Sequence, residues 1–310
     1  MPNITLDDIT HAANVSGLVG FKGIYEPLGG GEVNDTFLLS CGNGKTILRI
    51  AKYPDQDSLR QEARALRLLD SVQIPKLIFF DENKRINGRQ WIMEGYVPGT
   101  TMTRLSVDQF KSLGSLLADV HRTKSGIIGV DIWSNFLDVC KMFGNEEYLL
   151  NHPDPTLNEL IKRATEYFRI WQARLDEIPE SLIHGDATPS NILVMDNDVS
   201  LIDWEFSKYS DPLAEFSTVF YEDMEYNQGK WRVRITEAEK SALYSGYTSA
   251  GGIIDVERIK LWMNFDKLGA AVFLNWRINQ SNREANEEQN TQYKFDLNNL
   301  VASLKRNLAT

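Results

Sequence analysis

Alternating apolar and polar residues predict that the first hundred residues are rich in strands. Glycines at 29–31 and the turn 41–44, which contains Asn-Gly, separate these strands as in a hairpin meander. Apolar residues at helical spacing predict a helix over 57–69, and Thr5 followed by Asp8 predicts a capped first helix. The predicted strands cover 24–28, 36–40, 46–51, 76–80 and 90–94.

After a Pro-Gly linker at 97–100, the apolar spacing changes to the period of a helix. One short β-rich island, 182–204, interrupts the helices. This order predicts an α+β fold of two lobes with a cleft between them, a small antiparallel β-rich lobe at 1–96 and a larger helical lobe at 97–310. The predicted helices cover 107–123, 157–175, 211–226, 237–249, 256–279 and 296–308.

Composition limits the possible partners and surroundings. The 310 residues, 42% of them apolar, suffice for a sizeable core. A net charge of -10 repels nucleic acid and anionic membranes, so neither is expected as a partner, whereas a cationic small molecule would be attracted. Cys41 and Cys140 lack metal-ligand spacing and are expected to be free thiols. Without a signal-peptide pattern or an apolar run of membrane-spanning length, the sequence predicts a soluble cytoplasmic protein.

The β-rich island carries the clearest chemical pattern. Asp186 is followed five residues later by Asn191, and an apolar strand ends at Asp203. This is the spacing of a kinase catalytic loop, in which the Asp takes or orients the proton of the attacking hydroxyl. The Asn and the second Asp then hold Mg²⁺ against the phosphates. Each residue alone would be an ordinary turn or strand residue, but their order and their strand context predict Asp186 as catalytic and Asn191 and Asp203 as metal ligands.

His184 leaves two roles open. It could be a general base, or it could order the loop by hydrogen bonding, and the surrounding pattern favours the second role. The other histidines, His11, His121 and His152, have no paired ligands nearby in the sequence, so no zinc site is predicted.

These motifs resemble those of the aminoglycoside phosphotransferase and choline kinase superfamily, whose members are distant relatives of protein kinases. The resemblance covers nearly the whole chain and is most specific at 184–193 and 201–212. It implies a protein-kinase-like fold with a nucleotide-binding lobe at 1–96, and with the catalytic loop and acceptor site at 97–310. It also implies transfer of the γ-phosphoryl group of ATP, with Mg²⁺, to a hydroxyl of a small molecule.

The same resemblance assigns residues to the nucleotide. Arg49 on the third strand would grip the phosphates, with Lys52 as the alternative, and Glu62 would pair with the basic residue. The segment 91–99 is similar to the family's hinge, where Met93 would lie behind the adenine and the backbone of Glu94 and Tyr96 would bind it. The residues implied for the phosphate loop are Gly29, Gly30, Gly31 and Asn34.

Two departures argue against a protein kinase. Trp204-Glu205 stands where protein kinases have Phe-Gly, and no activation loop precedes the next helix. The pattern is similar to the choline and thiamine kinase side of the family. The acceptor is therefore expected to be a small cationic molecule, such as an amino alcohol, an aminoglycoside-like compound or a vitamin. The candidate acceptor-binding residues are Glu205, Glu222, Asp223, Trp262 and Trp276.

Several alternatives stay open from the sequence. Trp262 and Trp276 share one face of a helix and could equally be core residues. A non-catalytic nucleotide-binding protein on the same fold, or a kinase acting on proteins, remains a competing hypothesis. The sequence does not distinguish ATP from GTP as donor, antibiotic modification from metabolism, or one oligomeric state from another.

Overall fold

The computed structural model describes residues 4–28, 34–42, 44–53, 57–102, 104–141, 153–219, 235–280 and 287–308. The chain forms two compact units. The first comprises Met1–Met102, His184–Asp186 and Asn191–Lys208, and the second comprises Thr103–Ile183, Ala187–Ser190 and Tyr209–Thr310. Part of the β-rich island therefore belongs with the N-terminal strands. The functional division at 1–96 and 97–310 stays a prediction.

In the first unit, strands β1 to β5 form an antiparallel sheet in the order β1-β2-β3-β5-β4. Strands β6, β9 and β10 form a second antiparallel sheet in the order β10-β9-β6. The bounds are α1 Leu6–Val15, β1 Tyr25–Pro27, β2 Asn34–Cys41, β3 Gly44–Ala51, α2 Ser58–Leu66, β4 Leu77–Ile86, β5 Arg89–Gly95, β6 Thr100–Thr101, β9 Ile192–Met195 and β10 Asp198–Leu201.

Helix α1 begins as the sequence predicted. The Thr5 hydroxyl accepts from the backbone N–H of Asp8, and the Asp8 carboxylate accepts from the backbone N–H of Thr5. The helix packs its buried face, which includes Ile9, on one side of the five-stranded sheet, where Leu48 and Trp91 also lie. This cluster is the core of the first unit's sheet.

The register between β3 and β5 assigns side chains to the two faces of that sheet. Arg49 lies opposite Ile92, and Ile47 lies opposite Glu94. Because successive side chains on a strand point to opposite faces, these four share the face away from α1. Leu48 lies on the other face, within the α1 core.

The second unit contains most of the helices together with a sheet in the order β11-β8-β7. Glycines permit a close crossing of α3 and α7, since a Cβ at Gly114 or Gly246 would collide with the backbone of the other helix. The bounds are α3 Val107–Val120, β7 Lys124–Ile128, α4 Ile132–Lys141, α5 Pro155–Leu175, β8 Pro179–Ile183, β11 Lys208–Ser210, α6 Glu215–Val219, α7 Glu237–Ser249, α8 Val256–Gln280 and α9 Glu287–Asn307.

The prediction of an α+β fold with antiparallel sheets and a helix-rich remainder is confirmed. Some element bounds were wrong. The helix predicted from residue 211 is a 3₁₀ turn, Pro212–Ala214, followed by the short α6, because Asp211 caps the turn by accepting from the Leu213 N–H. Helix α4 was not predicted, and its Phe136 packs against Phe168 and Phe265 from distant helices. None of the helices in the described part of the chain combines the length and apolar character that crossing a membrane requires.

Candidate active site

The loop after β8 is held in place by His184. Its ring Nε2–H donates to the carbonyl of Ile202 at 2.9 Å, and its Nδ1 accepts from the backbone N–H of Asp186 at 3.2 Å. The ring is fully buried, and its centroid lies 4.5 Å from that of Trp204. Both ring nitrogens are thus engaged within the protein, which supports the ordering role over that of a general base.

Asp186 and Asn191 contact each other directly. The Asn191 side-chain amide donates to the Asp186 carboxylate at 2.7 Å and to the Asp186 carbonyl at 2.9 Å. A 3₁₀ turn, Pro189–Asn191, makes this five-residue return possible. Asn191 is buried, and its amide orientation leaves the oxygen Oδ1 as the atom with which it could bind a metal.

Arg49 connects acids from two distant parts of the chain. Its Nη1 contacts both carboxylate oxygens of Glu62, at 2.5 and 2.6 Å, and its Nη2 contacts Oδ1 of Asp203 at 2.6 Å. Burial alone would lower the pKa of Arg49, but Glu62 and Asp203 raise it above its usual value, so the guanidinium stays charged. Glu62 also accepts from the backbone N–H of Trp204 at 3.0 Å, which fixes the backbone beside Asp203.

Asn34 and Glu205, which the sequence had assigned to nucleotide and acceptor respectively, are hydrogen-bonded to each other. The Asn34 amide donates to the Glu205 carboxylate at 3.0 Å. Burial, followed by the nearby charge of Asp203, raises the pKa of Glu205. The first residue described after the glycine run is therefore joined to the segment that carries Asp203. No sequence feature indicated this pairing, because the two residues lie far apart in the chain.

The predicted position of Met93 behind the adenine stays a prediction. Met93 belongs to the fully buried core that packs on α1, on the face opposite Arg49. Its neighbour Glu94 instead shares the face of Arg49 and is itself buried. Tyr96 follows the end of β5, and the Nζ atom of Lys45 lies 5.3 Å from the centroid of the Tyr96 ring. Backbone binding of adenine at Glu94 and Tyr96 stays a prediction.

The two candidate tryptophans lie on the same helix, α8, in the second unit. Trp262 is almost completely buried and donates from its indole nitrogen to the buried carboxylate of Asp211 at 2.8 Å. These contacts favour the core alternative for Trp262. Trp276 is half-buried and stacks on Phe273. The predicted site residues Gly29, Gly30, Gly31, Glu222 and Asp223 lie outside the described residues.

Oxygen atoms in the first unit fit Mg²⁺. Within the described ranges, no three His, Cys, Asp or Glu side chains form a metal cluster by themselves. Mg²⁺ does not need such a cluster, because it usually takes one or two carboxylates and completes its shell with water and substrate phosphates. Asp203, the amide oxygen of Asn191 and the carboxylate of Glu205 offer this donor set.

Comparison with known proteins gives this site its context. The phosphotransferase enzyme family (APH) matches residues 24–252. The chain belongs to this family. It is 26% identical over 274 residues to a homoserine kinase of Granulibacter bethesdensis. That alignment covers 79% of this chain and 82% of the homoserine kinase. It shares the fold of a putative aminoglycoside phosphotransferase from Ralstonia eutropha, with a TM-score of 0.72 at 15% identity and 99% of both chains covered. For a spectinomycin phosphotransferase crystallised with ADP and spectinomycin, the TM-score is 0.65 at 16% identity, again over 99% of both chains.

Membership in the phosphotransferase enzyme family makes the chain a small-molecule kinase. The predictions of family, of a kinase-like fold and of enzyme class are confirmed. The roles of individual residues in catalysis and in metal and nucleotide binding stay predictions. The side chain of Glu94 was missed by sequence reasoning, because only the register of β3 against β5 reveals that it shares a face with Arg49.

Proposed function

We propose that the protein transfers the γ-phosphoryl group of ATP to a hydroxyl of a small amine-bearing molecule, with Mg²⁺. Two sets of contacts carry the proposal: the hydrogen bond between Asp186 and Asn191, and the ion pairs that Arg49 makes. Asp186 is bonded to Asn191, and Arg49 joins Glu62 to Asp203, all within one compact unit. This combination of acid, amide and buried cation is what phosphoryl transfer requires.

Arg49 would bind the phosphates of the donor. Glu62 holds Nη1 of the guanidinium through two short contacts and Asp203 holds Nη2, so the group is oriented before any ligand arrives. A guanidinium fixed in this way suits phosphate oxygens better than a flexible ammonium, which favours Arg49 over Lys52. The ADP in the spectinomycin phosphotransferase structure supports an adenine nucleotide as the donor.

Asp203, Asn191 and Glu205 would hold Mg²⁺. When bound, the metal would neutralise charge on the phosphate oxygens. Asp186 would accept a hydrogen bond from the acceptor hydroxyl and hold its proton during attack. Asn191 would keep the Asp186 carboxylate in place through the 2.7 Å contact. Most of the rate enhancement would come from positioning and charge stabilisation.

The relatives and the charge of the chain support an amine-bearing acceptor. Homoserine and spectinomycin, the substrates named for two related proteins, both carry hydroxyl and amino groups. The chain has 43 acidic and 33 basic residues, so it would attract a cationic acceptor over an anionic one. We propose an amino alcohol and take homoserine as the first compound to test.

The test is an ADP-release assay with ATP, Mg²⁺ and a panel of homoserine, ethanolamine, choline, thiamine and spectinomycin. Asp186→Asn should lower kcat for the active acceptor by about two to four powers of ten, because the carboxylate that takes the proton is lost. Asp198→Asn is the matched control, since Asp198 is an exposed hairpin residue and its change should leave kcat unaltered.

Wild-type turnover by Asp186→Asn would contradict the assignment of Asp186. Nucleotide binding without turnover of any acceptor would favour the non-catalytic alternative. Thermal unfolding of each variant separates a loss of chemistry from a loss of folded protein.

A further inference from the structure

One buried carboxylate has no function in the scheme above. The side chain of Glu94 lies on β5 and is 4% exposed. Its Oε2 has no hydrogen-bond partner among the described residues. Burying a carboxylate oxygen without a partner is costly, so such an atom in a folded protein calls for a ligand or a functional reason.

The surroundings of Glu94 combine charge with apolar surface. Glu94 shares a sheet face with Arg49. Ile92 is the residue opposite Arg49, and Glu94 lies two residues further along β5, a rise of roughly 7 Å. The half-buried side chain of Ile47 is directly across from it. The charges that act on Glu94 are those of Arg49, Glu62 and Asp203.

Each part of the donor nucleotide can be compared with this chemistry. A carboxylate repels phosphate, so the triphosphate belongs at Arg49 and not at Glu94. A half-buried isoleucine beside a buried acceptor suits a flat group with an apolar face and a hydrogen-bond donor at its edge. Among the parts of ATP, the adenine ring with its amino group at position 6 matches this description, whereas the hydrated ribose does not.

We propose that the carboxylate of Glu94 accepts a hydrogen bond from the amino group at position 6 of the donor purine and thereby selects ATP over donors with an oxygen at that position. The inference rests on the proposed function, because it requires the nucleotide to bind on the Arg49 face. A 6-oxo purine places an acceptor against the carboxylate, so the hydrogen bond is lost and two hydrogen-bond acceptors face each other.

The test compares the binding of ADP and IDP to the full chain by calorimetry, with Mg²⁺. IDP differs from ADP only at the N1–C6 edge of the base, and binding needs no acceptor. The measurement is made at pH 8.5, because burial, against the lowering effect of Arg49, raises the pKa of Glu94 to about 7, so that the carboxylate is ionised at pH 8.5. The wild type should bind ADP on the order of 10-fold or more tightly than IDP.

Glu94→Gln should lower the ratio of ADP to IDP affinity by at least about 10-fold, because the Gln amide can donate to a 6-oxo group. Glu94→Leu, which offers neither donor nor acceptor, should shift the ratio in the same direction. Glu82→Gln is the matched control, since Glu82 lies on the neighbouring strand β4 with 58% of its side chain exposed and should keep the wild-type ratio.

Equal affinity of the wild type for ADP and IDP would overturn the inference and leave the proposed function intact. An unchanged ratio in folded Glu94→Gln would also overturn it. Failure of the wild type to bind either nucleotide would contradict the proposed function itself. The ratio measured on the wild type tests the inference even if a variant does not fold.

Discussion

At the scale of single residues, Arg49 is the buried cation of the candidate site's ion pairs. It is 6% exposed and contacts acids from α2 and from the segment after β10. A buried ion pair contributes little net stability, but removing one partner leaves the other charge without compensation. Lys52, the alternative from the sequence, lies beyond the end of β3.

Arg49→Met should therefore destabilise the protein by about 3–5 kcal/mol in urea unfolding, because Glu62 stays buried without its partner. Adding Glu62→Met to that variant should restore part of the loss, since no isolated charge then remains. Lys52→Met is the control and should change stability by no more than about 0.5 kcal/mol. An Arg49→Met protein as stable as the wild type would show that the ion pair does not hold Glu62 in place.

At the scale of elements, the loop that carries Asp186 depends on one glycine. Gly185, between His184 and Asp186, has φ +79°, and a Cβ there would collide with the carbonyl oxygen of Phe206. The chain thus passes close to the segment that follows Asp203. A side chain would have to push the two segments apart.

Gly185→Ala should lower kcat on the order of 100-fold, because Asp186 moves with the loop. It should also lower the free energy of unfolding by more than a positive φ alone costs. Gly88→Ala is the matched control. Gly88 has φ +73° but open space around it, so its variant should lose only about 1–2 kcal/mol and no activity. Urea unfolding and ADP release provide the measurements. Equal losses in both variants would mean that the contact with Phe206 is unimportant.

At the scale of the whole molecule, the burial of acidic side chains makes stability depend on pH. Burial raises the pKa of Glu94, Glu205 and Asp211. The folded state therefore binds protons at these groups more tightly than the unfolded chain does. This tighter binding contributes fully to stability at pH values below the ordinary pKa of a free carboxyl. That contribution is lost as the pH rises through the raised pKa.

For Glu94, the raised pKa of about 7 compares with 4.5 for an ordinary glutamate, so its contribution should decline between about pH 4.5 and pH 8. The free energy of unfolding of Glu94→Gln should consequently rise relative to that of the wild type over this range, by roughly 1–3 kcal/mol. Urea titrations at pH 5, 6.5 and 8 measure the difference. A constant difference across these pH values would show that Glu94 does not titrate with a raised pKa.

Features that rest on local interactions were predictable from the sequence alone. Strand and helix periodicity predicted the element types, and Thr5 with Asp8 predicted the first cap. The five-residue spacing of Asp186 and Asn191 predicted two residues that are in contact, because a single 3₁₀ turn closes that distance. Local geometry of this kind depends on residues close together in the chain, so the sequence pattern predicts it.

The contacts between residues that are distant in the chain depend on the tertiary fold. Arg49 and Asp203 lie 154 residues apart, and Asn34 and Glu205 lie 171 apart, so no local pattern couples them. The sequence also did not indicate which face of the sheet each β5 side chain occupies, since residues 89–94 are buried on both faces. A strand buried on both faces has no alternation of apolar and polar residues to distinguish them. For this reason the sequence did not assign the side chains of Met93 and Glu94 to a face of the sheet.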